Sequence, residues 1–362
     1  MLDVTAHQKQ ASSSTWPVAS AVNVSSVISR WLLFSDCGVS AQRYMATAWT
    51  CVLALALIDA IWLLHAKLTF APANWLALAG EVLVFSLTGL LVALAFSRLR
   101  GDSSRIASVL RRGLVAIELL RRTAFVMSAL LTTGVTLSYL ITAANLPLMD
   151  SLLARFDHGL GFDWQHFLEM TNSEPRVSGL LARAYQTTGW VTELAIAWAG
   201  LSRNGERLAE LLAVLGLCTV GLCGCMLLFP AAGAFAYFDP SAQLFSTYGA
   251  RDQMWTFGHT YNMLRDGALS VIDLSSLDGI VSFPSFHTIL GLIGIYAVRD
   301  VRWLLALILP VNLTMIIATM PVGGHHLADV LAGVGLAVGA MMFVRSQKER
   351  FAPSAALCNA GS

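Results

Sequence analysis

The chain has 362 residues, of which 56% are hydrophobic and only 12% are charged. Soluble globular domains carry about 25% charged residues, so this composition excludes a large soluble domain and indicates a polytopic α-helical membrane protein. The formal net charge of +1 gives no reason to expect nucleic acid as a partner. The six cysteines show no recurrent CxxC spacing, which argues against a disulfide framework and against a zinc site.

Eight apolar stretches approach the length of about 20 residues that a transmembrane helix needs. They lie at residues 44–65, 75–97, 123–144, 184–200, 209–230, 284–298, 303–320 and 327–344. The predicted fold is therefore an all-α polytopic bundle of about eight transmembrane helices. Residues 44–345 are predicted to form the membrane domain. Residues 1–43 would be a Ser-rich polar tail without a signal peptide, and residues 346–362 would be a second tail.

The distribution of Lys and Arg predicts the orientation of the bundle. With eight spans, 17 of the 23 basic residues fall on the side of both termini, including seven arginines between Arg98 and Arg122. Basic loops face the cytoplasm, so both termini are predicted to be cytoplasmic. The amphipathic pattern of residues 102–121 could meet anionic headgroups there, or could form a solvated face. The long segments 145–183 and 231–283 would lie on the opposite side, as structured loops.

The eighth predicted span opens with GGHHLADVLAG, residues 323–333. His325 and Asp329 are four residues apart and would be neighbours on one helix face. Asp329 would accept the hydrogen of one ring nitrogen and leave the other basic, as a nucleophilic histidine requires. Taken alone, the pair could also be an ordinary helix-end hydrogen bond. His326 would point about 100° away, where a helix-end or headgroup contact is the alternative to catalysis.

The sixth predicted span opens with SFPSFHTILGL, residues 282–292, at the same predicted membrane surface. Ser282 is suited to be the N-cap of a helix with Pro284 in its first turn. The free N–H groups of such a helix terminus attract a phosphate oxygen, and Ser285 would add a hydroxyl donor. His287 would lie about one turn in, where it could protonate a leaving oxygen. An interfacial side chain without a catalytic role is the alternative for His287.

The segment FDHGLGFDW lies in the first of the two long loops and spans residues 156–164. Gly159 and Gly161 favour a turn in this segment. Asp157 and Asp163 are accordingly predicted to cap loops rather than to act as acids in catalysis.

The strings PSFHT and GHHLADVLAG together resemble the second and third signature motifs of the type 2 phosphatidic acid phosphatase superfamily. The usual forms of these motifs are PSGH and SRxxxxxHxxxD. The resemblance implies that His325 forms a phosphohistidine, that Asp329 orients it and that His287 is the general acid. It also implies an enzyme that needs no metal and no cofactor. The matched motifs, at residues 282–333, place the catalytic core in the C-terminal spans.

Three departures from the motifs point to one branch of this superfamily. The PSGH glycine is Phe286, the SR pair is replaced by Ala318 and Thr319, and no KxxxxxxRP motif precedes Pro284. These losses resemble the inositol phosphorylceramide synthases of fungi and their bacterial relatives. The resemblance implies a phosphatase or phosphotransferase of a lipid phosphate or phosphodiester, with water or an inositol- or sphingolipid-type alcohol as acceptor. Its partners would be the lipid substrate, the bilayer and a polyol, without an obligate protein partner.

A bound phosphate needs positive charge or N–H donors, because the motif arginine is absent. Arg265 is the best candidate, since it lies 19 residues before Pro284 and on the same predicted side. A salt bridge to Asp266 is the alternative for Arg265. Gly324 would let backbone N–H groups approach the anion closely. Weaker cationic candidates are Arg183, Arg251 and His259. The active site would then face the periplasm of a bacterial inner membrane.

Two carboxylates within predicted spans raise a second class of function. Asp59 and Glu81 would lie in the outer part of the bilayer, where buried carboxylates are costly and often functional. They could line a polar path, pair with His65 or Lys67, or be protonated and structural. A membrane transporter that uses Asp59 and Glu81 is therefore the alternative to the enzyme.

Overall fold

The computed structural model describes residues 37–241 and 251–350, and the side chains of all of these except 251–257 and 348–350. The predicted all-helical character is confirmed, apart from one pair of very short strands. In chain order the elements are α1 Val39–Leu63, β1 Thr69–Phe70, α2 Pro72–Leu99, α3 Arg105–Ala143, α4 Asp150–Gly159, α5 Trp164–Asn172, α6 Pro175–Gln186, α7 Thr188–Leu201, α8 Gly205–Leu228, α9 Ala234–Phe238, α10 Arg251–Arg265, β2 Val271–Ile272, α11 Phe286–Ala297, α12 Arg302–Ala318 and α13 Leu327–Arg350. The two strands pair in parallel.

Helix α8 lies at the centre of the bundle. In its most apolar stretch 61% of the residues are buried, whereas none is buried in the corresponding stretch of α2. Small residues on α8 allow its neighbours to approach closely, as is usual between membrane helices. A Cβ at Gly216 would lie 3.1 Å from that of Cys51 in α1, and Gly221 packs against Leu336 in α13. The core therefore surrounds α8, and α2 is left at the periphery, where it packs mainly on α3.

Every predicted span overlaps a helix, but the lengths differ. Within the described residues, five helices are long and apolar enough to cross a membrane: α1, α2, α3, α8 and α13. The apolar helices α11 and α12 are shorter, with 12 and 17 residues. The predicted span 184–200 falls on the junction between α6 and α7. The chain is therefore consistent with an integral membrane protein, and the count of eight spans stays a prediction.

The predicted amphipathic helix at residues 102–121 is not separate from the third span. Both belong to α3, a continuous helix of 39 residues whose N-cap is Ser104. Such a helix is about 58 Å long, nearly twice the roughly 30 Å thickness of a hydrocarbon core. The apolar residues after 122 continue the helix without a break, because neither a proline nor a pair of glycines interrupts them.

The limits of the predicted tails fall partly outside the described residues. Helix α1 begins at Val39, five residues before the predicted first span, and α13 continues to Arg350. Residues 1–36 and 351–362 lie outside the described part of the chain. The domain division therefore stays a prediction.

Helix α8 also defines two ends of the bundle. Its C-terminal end leads into residues 230–234, which contact Asp150 and Gly324; we call this the site end. Its N-terminal residue, Gly205, packs against Leu119 of the arginine-rich half of α3; we call this the basic end. The 24 residues of α8 separate the two ends by about 36 Å.

Candidate active site

His325 and Asp329 are in contact at the site end. The His325 Nδ1 atom lies 3.1 Å from Oδ2 of Asp329, and that oxygen also accepts the backbone N–H of His326 at 2.9 Å. Since α13 begins at Leu327, His325 precedes the helix, and the predicted shared helix face is wrong. Its backbone N–H donates instead to the carbonyl of Thr319. A carboxylate can only accept a hydrogen bond, so Nδ1 carries the hydrogen and Nε2 is left as the basic nitrogen.

His287 lies close to this pair, in the first turn of α11. Its ring centroid is 6.4 Å from that of His325, near enough for both rings to reach one phosphate group. The ring of Tyr185 stacks on His287, with centroids 4.6 Å apart and planes inclined by 25°. Sequence spacing does not predict this contact, because Tyr185 lies in α6, about 100 residues before His287. The aromatic stacking fixes the orientation of the imidazole.

The start of α11 differs from the prediction. Ser285 is the N-cap and accepts the backbone N–H of Thr288, so Pro284 precedes the helix and Ser282 does not cap it. The Ser282 hydroxyl lies 3.5 Å from Oδ2 of Asp329 instead. The backbone N–H of Ser285 donates to the carbonyl of Asp329 at 3.0 Å. Helices α11 and α13 are therefore joined where the two histidines meet.

Gly324 has a steric reason to be glycine. Its backbone φ of +68° lies in the left-handed region, and a Cβ there would collide with the ring of Phe235. Its carbonyl accepts the backbone N–H of Ala234 at 2.7 Å. The loop before His325 is thereby packed directly onto α9.

Comparison with family models connects this geometry to known proteins. The PAP2 superfamily matches residues 151–343, which is more than half of the chain. The chain belongs to the PAP2 superfamily. Neither curated proteins nor solved structures give a match. The match contains both histidine motifs and supports phosphatase-type or phosphotransferase chemistry in general, while the inositol phosphorylceramide synthase branch stays a proposal.

Two buried residues occupy the positions of the serine and arginine in the usual PAP2 motif. Ala318 and Thr319 are both fully buried, and the Thr319 hydroxyl donates to the carbonyl of Ile316. The loop carbonyl of Thr319 in turn accepts the N–H of His325. Thr319 thus belongs to a turn that anchors the backbone of the histidine.

Arg265 is the best placed of the predicted cations. It lines a small internal cavity together with Ser282 and Phe283, which precede the PSFH motif. Its guanidinium group donates to the carbonyl of Leu146 at 3.0 Å and lies 5.7 Å from the ring centroid of Tyr261. The predicted salt bridge between Arg265 and its neighbour in sequence is not among the contacts of the described residues. The weaker candidates Arg183 and His259 are exposed, and the side chain of Arg251 lies outside the described part.

His326 is fully buried directly before α13, so it makes the predicted helix-end contact and not a headgroup contact. Its Nε2 atom lies 3.5 Å from Oδ1 of Asp150, and its Nδ1 atom lies 3.6 Å from Oδ2 of Asp157. These distances are longer than those of strong hydrogen bonds, so the attraction is mainly between charges. Burial lowers the pKa of His326, but the carboxylates of Asp150, Asp157 and Asp329 outweigh it and raise the pKa to about 9. At neutral pH His326 is an imidazolium.

The two carboxylates around His326 also hold backbone groups. Asp157 accepts the N–H groups of Leu327 and Ala328 at 2.9 and 2.8 Å, and thereby caps the start of α13. Asp157 lies within α4, and it caps the start of a helix that is distant in sequence rather than the loop that was predicted. Asp150 accepts the N–H groups of Ala232 and Gly233 at 3.0 and 2.8 Å. We call the three side chains of Asp150, Asp157 and His326 the clamp. It joins three segments beside His325.

The other aspartate of FDHGLGFDW, Asp163, is the N-cap of α5.

The two intramembrane carboxylates lie apart from this site. Asp59 is buried in α1, and its Oδ1 atom has no hydrogen-bond partner among the described residues. Glu81 is half-buried on the peripheral helix α2. The His65 Nδ1 atom bonds to the carbonyl of Ile61, and no contact among the described residues pairs the ring with Asp59. No contact among the described residues joins the two carboxylates into one site.

Proposed function

We propose that this PAP2 protein is a lipid phosphatase or lipid phosphotransferase that works through a phosphohistidine at His325. The observation that carries the proposal is the 3.1 Å contact between His325 Nδ1 and Asp329, with the ring of His287 6.4 Å away. A basic nitrogen steadied by a carboxylate, beside a second histidine, provides the nucleophile and acid that phosphoryl transfer requires.

In the first step Nε2 of His325 attacks the phosphorus atom of the lipid phosphate. The N–P bond forms as the bond from phosphorus to the lipid oxygen breaks, and His287 gives its proton to that oxygen. Asp329 stabilises the positive charge that develops on the His325 ring. The products of this step are the lipid alcohol and the phosphohistidine.

In the second step an acceptor hydroxyl replaces the histidine. His287, now neutral, takes the proton of the acceptor as its oxygen bonds to phosphorus and the N–P bond breaks. If water is the acceptor, inorganic phosphate leaves and the protein is a phosphatase. If inositol or a sphingolipid hydroxyl is the acceptor, the product is a phosphate ester and the protein is a phosphotransferase.

The phosphate oxygens would be held mainly by backbone groups at the start of α11. Among the described residues, the N–H groups of Phe286 and His287 have no backbone acceptor, as expected at a helix N-terminus. These groups can bind an anion there. Ser285 orients them as the N-cap, Gly324 allows close approach, and Arg265 would supply positive charge from the adjoining cavity.

The arginine bias supports one orientation in the membrane. The basic end would face the cytoplasm with both termini, so the site end would face the periplasm of a bacterial inner membrane. A cysteine introduced at Thr260, which is part-buried on α10 beside the site end, should then react with a membrane-impermeant thiol reagent in intact cells. Protection of that cysteine until the cells are broken would reverse the orientation.

The test of function is product analysis with purified full-length protein. Phosphatidic acid and phosphatidylinositol labelled at phosphorus are each supplied with and without inositol and ceramide, and every labelled product is identified. We expect turnover to depend on both histidines and to be lost in His325→Gln and in His287→Ala. The matched control is His166→Gln, an exposed histidine on α5. Full turnover by both active-site variants would overturn the mechanism. Solute flux that survives His325→Gln and is abolished by Asp59→Asn would favour the transporter.

A further inference from the structure

A large cavity lies at the basic end, far from the two histidines. Its volume is about 1280 Å³, larger than the roughly 300–1,000 Å³ of most small-molecule sites. It lies between α2 and α3 and is closed by the turn that joins α7 to α8. Its apolar walls include Leu90, Val92, Phe96, Val115, Leu119 and Phe125. The walls belong to two helices that are long and apolar enough to cross a membrane.

The cavity has a cationic mouth. A second cavity of about 550 Å³ shares four lining residues with it and adds two arginines of α3, Arg111 and Arg112. The shared residues are Phe96, Val115, Ser202 and Arg203. Arg111 donates to the carbonyls of Leu99 and Asp102, which position its guanidinium group but do not neutralise it. The lining of the large cavity also includes Glu206 and Glu118, and Glu118 pairs with Arg122. This mainly apolar slot opens into a polar space lined by three arginines.

Two of these arginines differ from their neighbours at the same end. Arg207 and Arg299 pair with Glu210, and Arg207 also pairs with an aspartate at the end of α11. Arg112 and Arg203 are exposed, and no ion pair joins either to an acidic side chain of the described residues. Their charges are available to an anion from outside the protein.

The slot opens towards the bilayer rather than only towards water. Leu90, Leu91 and Leu94 of α2 are 55%, 64% and 53% exposed, and α2 packs mainly on α3. A soluble anion would leave the apolar slot unfilled, and a neutral lipid would leave the arginines without a counter-charge. An anionic amphiphile satisfies both parts of the cavity.

We propose that this cavity binds one anionic phospholipid from the membrane leaflet on the basic side. One acyl chain fills the slot between α2 and α3, and the phosphate lies against Arg112 and Arg203. The lipid completes the packing of α2, whose apolar stretch buries none of its residues within the protein. This site is about the length of α8 away from His325 and takes no part in the phosphoryl transfer.

Native mass spectrometry of the full-length protein tests the proposal. Purified protein is mixed with phosphatidylglycerol or with phosphatidylcholine of the same acyl chains, and retained lipid is counted. We expect the wild type to retain one phosphatidylglycerol. The double variant Arg112→Gln with Arg203→Gln should weaken that retention by at least about tenfold and leave phosphatidylcholine unchanged. Ala93→Trp, which fills the slot without changing charge, should reduce retention of both lipids.

The controls separate this site from general surface attraction and from the active site. Arg155→Gln with Arg176→Gln removes two exposed arginines at the other side of the membrane, and should leave retention unchanged. His325→Gln should also retain the lipid, so loss of catalysis is distinguishable from loss of this site. Equal retention of the two lipids, or equal effects of the two double-arginine variants, would overturn the proposal. Retention unaffected by Ala93→Trp would also overturn it, as expected if residues 1–36 fill the slot. Size-exclusion profiles and melting temperatures establish that each variant is folded.

Discussion

Charged side chains are buried and paired at one end of α8, and several are exposed at the other end. At the site end, Asp329, Asp150, Asp157 and His326 are all buried, and each carboxylate meets an imidazole and at least one backbone N–H. At the basic end, arginines line an apolar cavity and some of them remain exposed.

The difference reflects what each end has to do. A buried charge is stable only when it is paired and hydrogen-bonded, and such pairing fixes the positions of groups that react with a phosphate. An exposed arginine costs little to leave unpaired, and it stays available to a charged lipid headgroup. The charged groups are thus held in fixed positions at one end of α8 and are accessible to ligands at the other end. The following predictions test the site end of this comparison.

The largest effect is expected from Asp329→Asn. The amide can donate a hydrogen bond to Nδ1 of His325 and so favour the wrong tautomer, which lowers turnover by about 10⁴-fold. Rapid quenching in alkali, in which the N–P bond is stable, would measure formation of phosphohistidine from phosphorus-labelled lipid in a single turnover. Asp163→Asn, at the cap of α5, is the matched control. Turnover within about tenfold of the wild type would mean that His325 does not depend on this carboxylate.

His287→Gln should lower turnover of a lipid phosphate by roughly 10²–10⁴-fold, because a general acid is lost. A nitrophenyl phosphate ester should lose far less, since its leaving oxygen needs no proton. Comparing kcat on both substrates distinguishes an acid from a merely structural histidine. An equal loss on the two esters would assign His287 to positioning, and Tyr185, which stacks on it, would then be the residue to change next.

His326→Gln should destabilise the fold by about 3–5 kcal/mol at neutral pH, because two buried carboxylates lose their counter-charge. The pKa of His326 is raised to about 9, so its stabilisation is complete below the ordinary value of about 6.5 and is lost as pH rises through 9. Melting temperatures between pH 6 and 10 should fall in the wild type and stay flatter in the variant. His158→Gln, at an exposed position of α4, is the control. Parallel curves for all three proteins would contradict the clamp.

Arg265→Gln should have the smallest effect, a rise in KM of roughly tenfold with kcat nearly unchanged. The arginine lines the cavity next to Ser282 and contributes charge rather than chemistry. Arg265→Lys should recover part of the affinity, since it keeps the charge but loses the bond geometry. Arg176→Gln, at an exposed position of α6, is the control. If Arg265→Gln lowers the melting temperature and leaves KM alone, its bond to Leu146 is its only role.

Local signals in the sequence were enough to find the helices and the side chains that we propose to react. Apolar length predicted a helix at each of the eight stretches, because a span must satisfy its backbone within one segment. The spacing of His325 and Asp329, and the PSFH string before them, predicted that three side chains lie close together, and the structure brings them together. Neither signal required knowledge of the packing. The lengths of α11 and α12 and the junction of α6 with α7 depend on packing, and the predicted spans missed them.

Tertiary structure alone decided how those groups are held. Asp157 caps a helix that starts 170 residues later, and Asp150 accepts N–H groups 82 and 83 residues away. A buried carboxylate takes its partner from whichever segment the packing brings near, so such pairs leave no periodic pattern in the chain. For the same reason the sequence of α3 shows that this helix is basic, but it does not show the apolar cavity, which residues from several segments form together. The sequence determined which atoms can react, and the fold determined which charges are paired and which are left exposed.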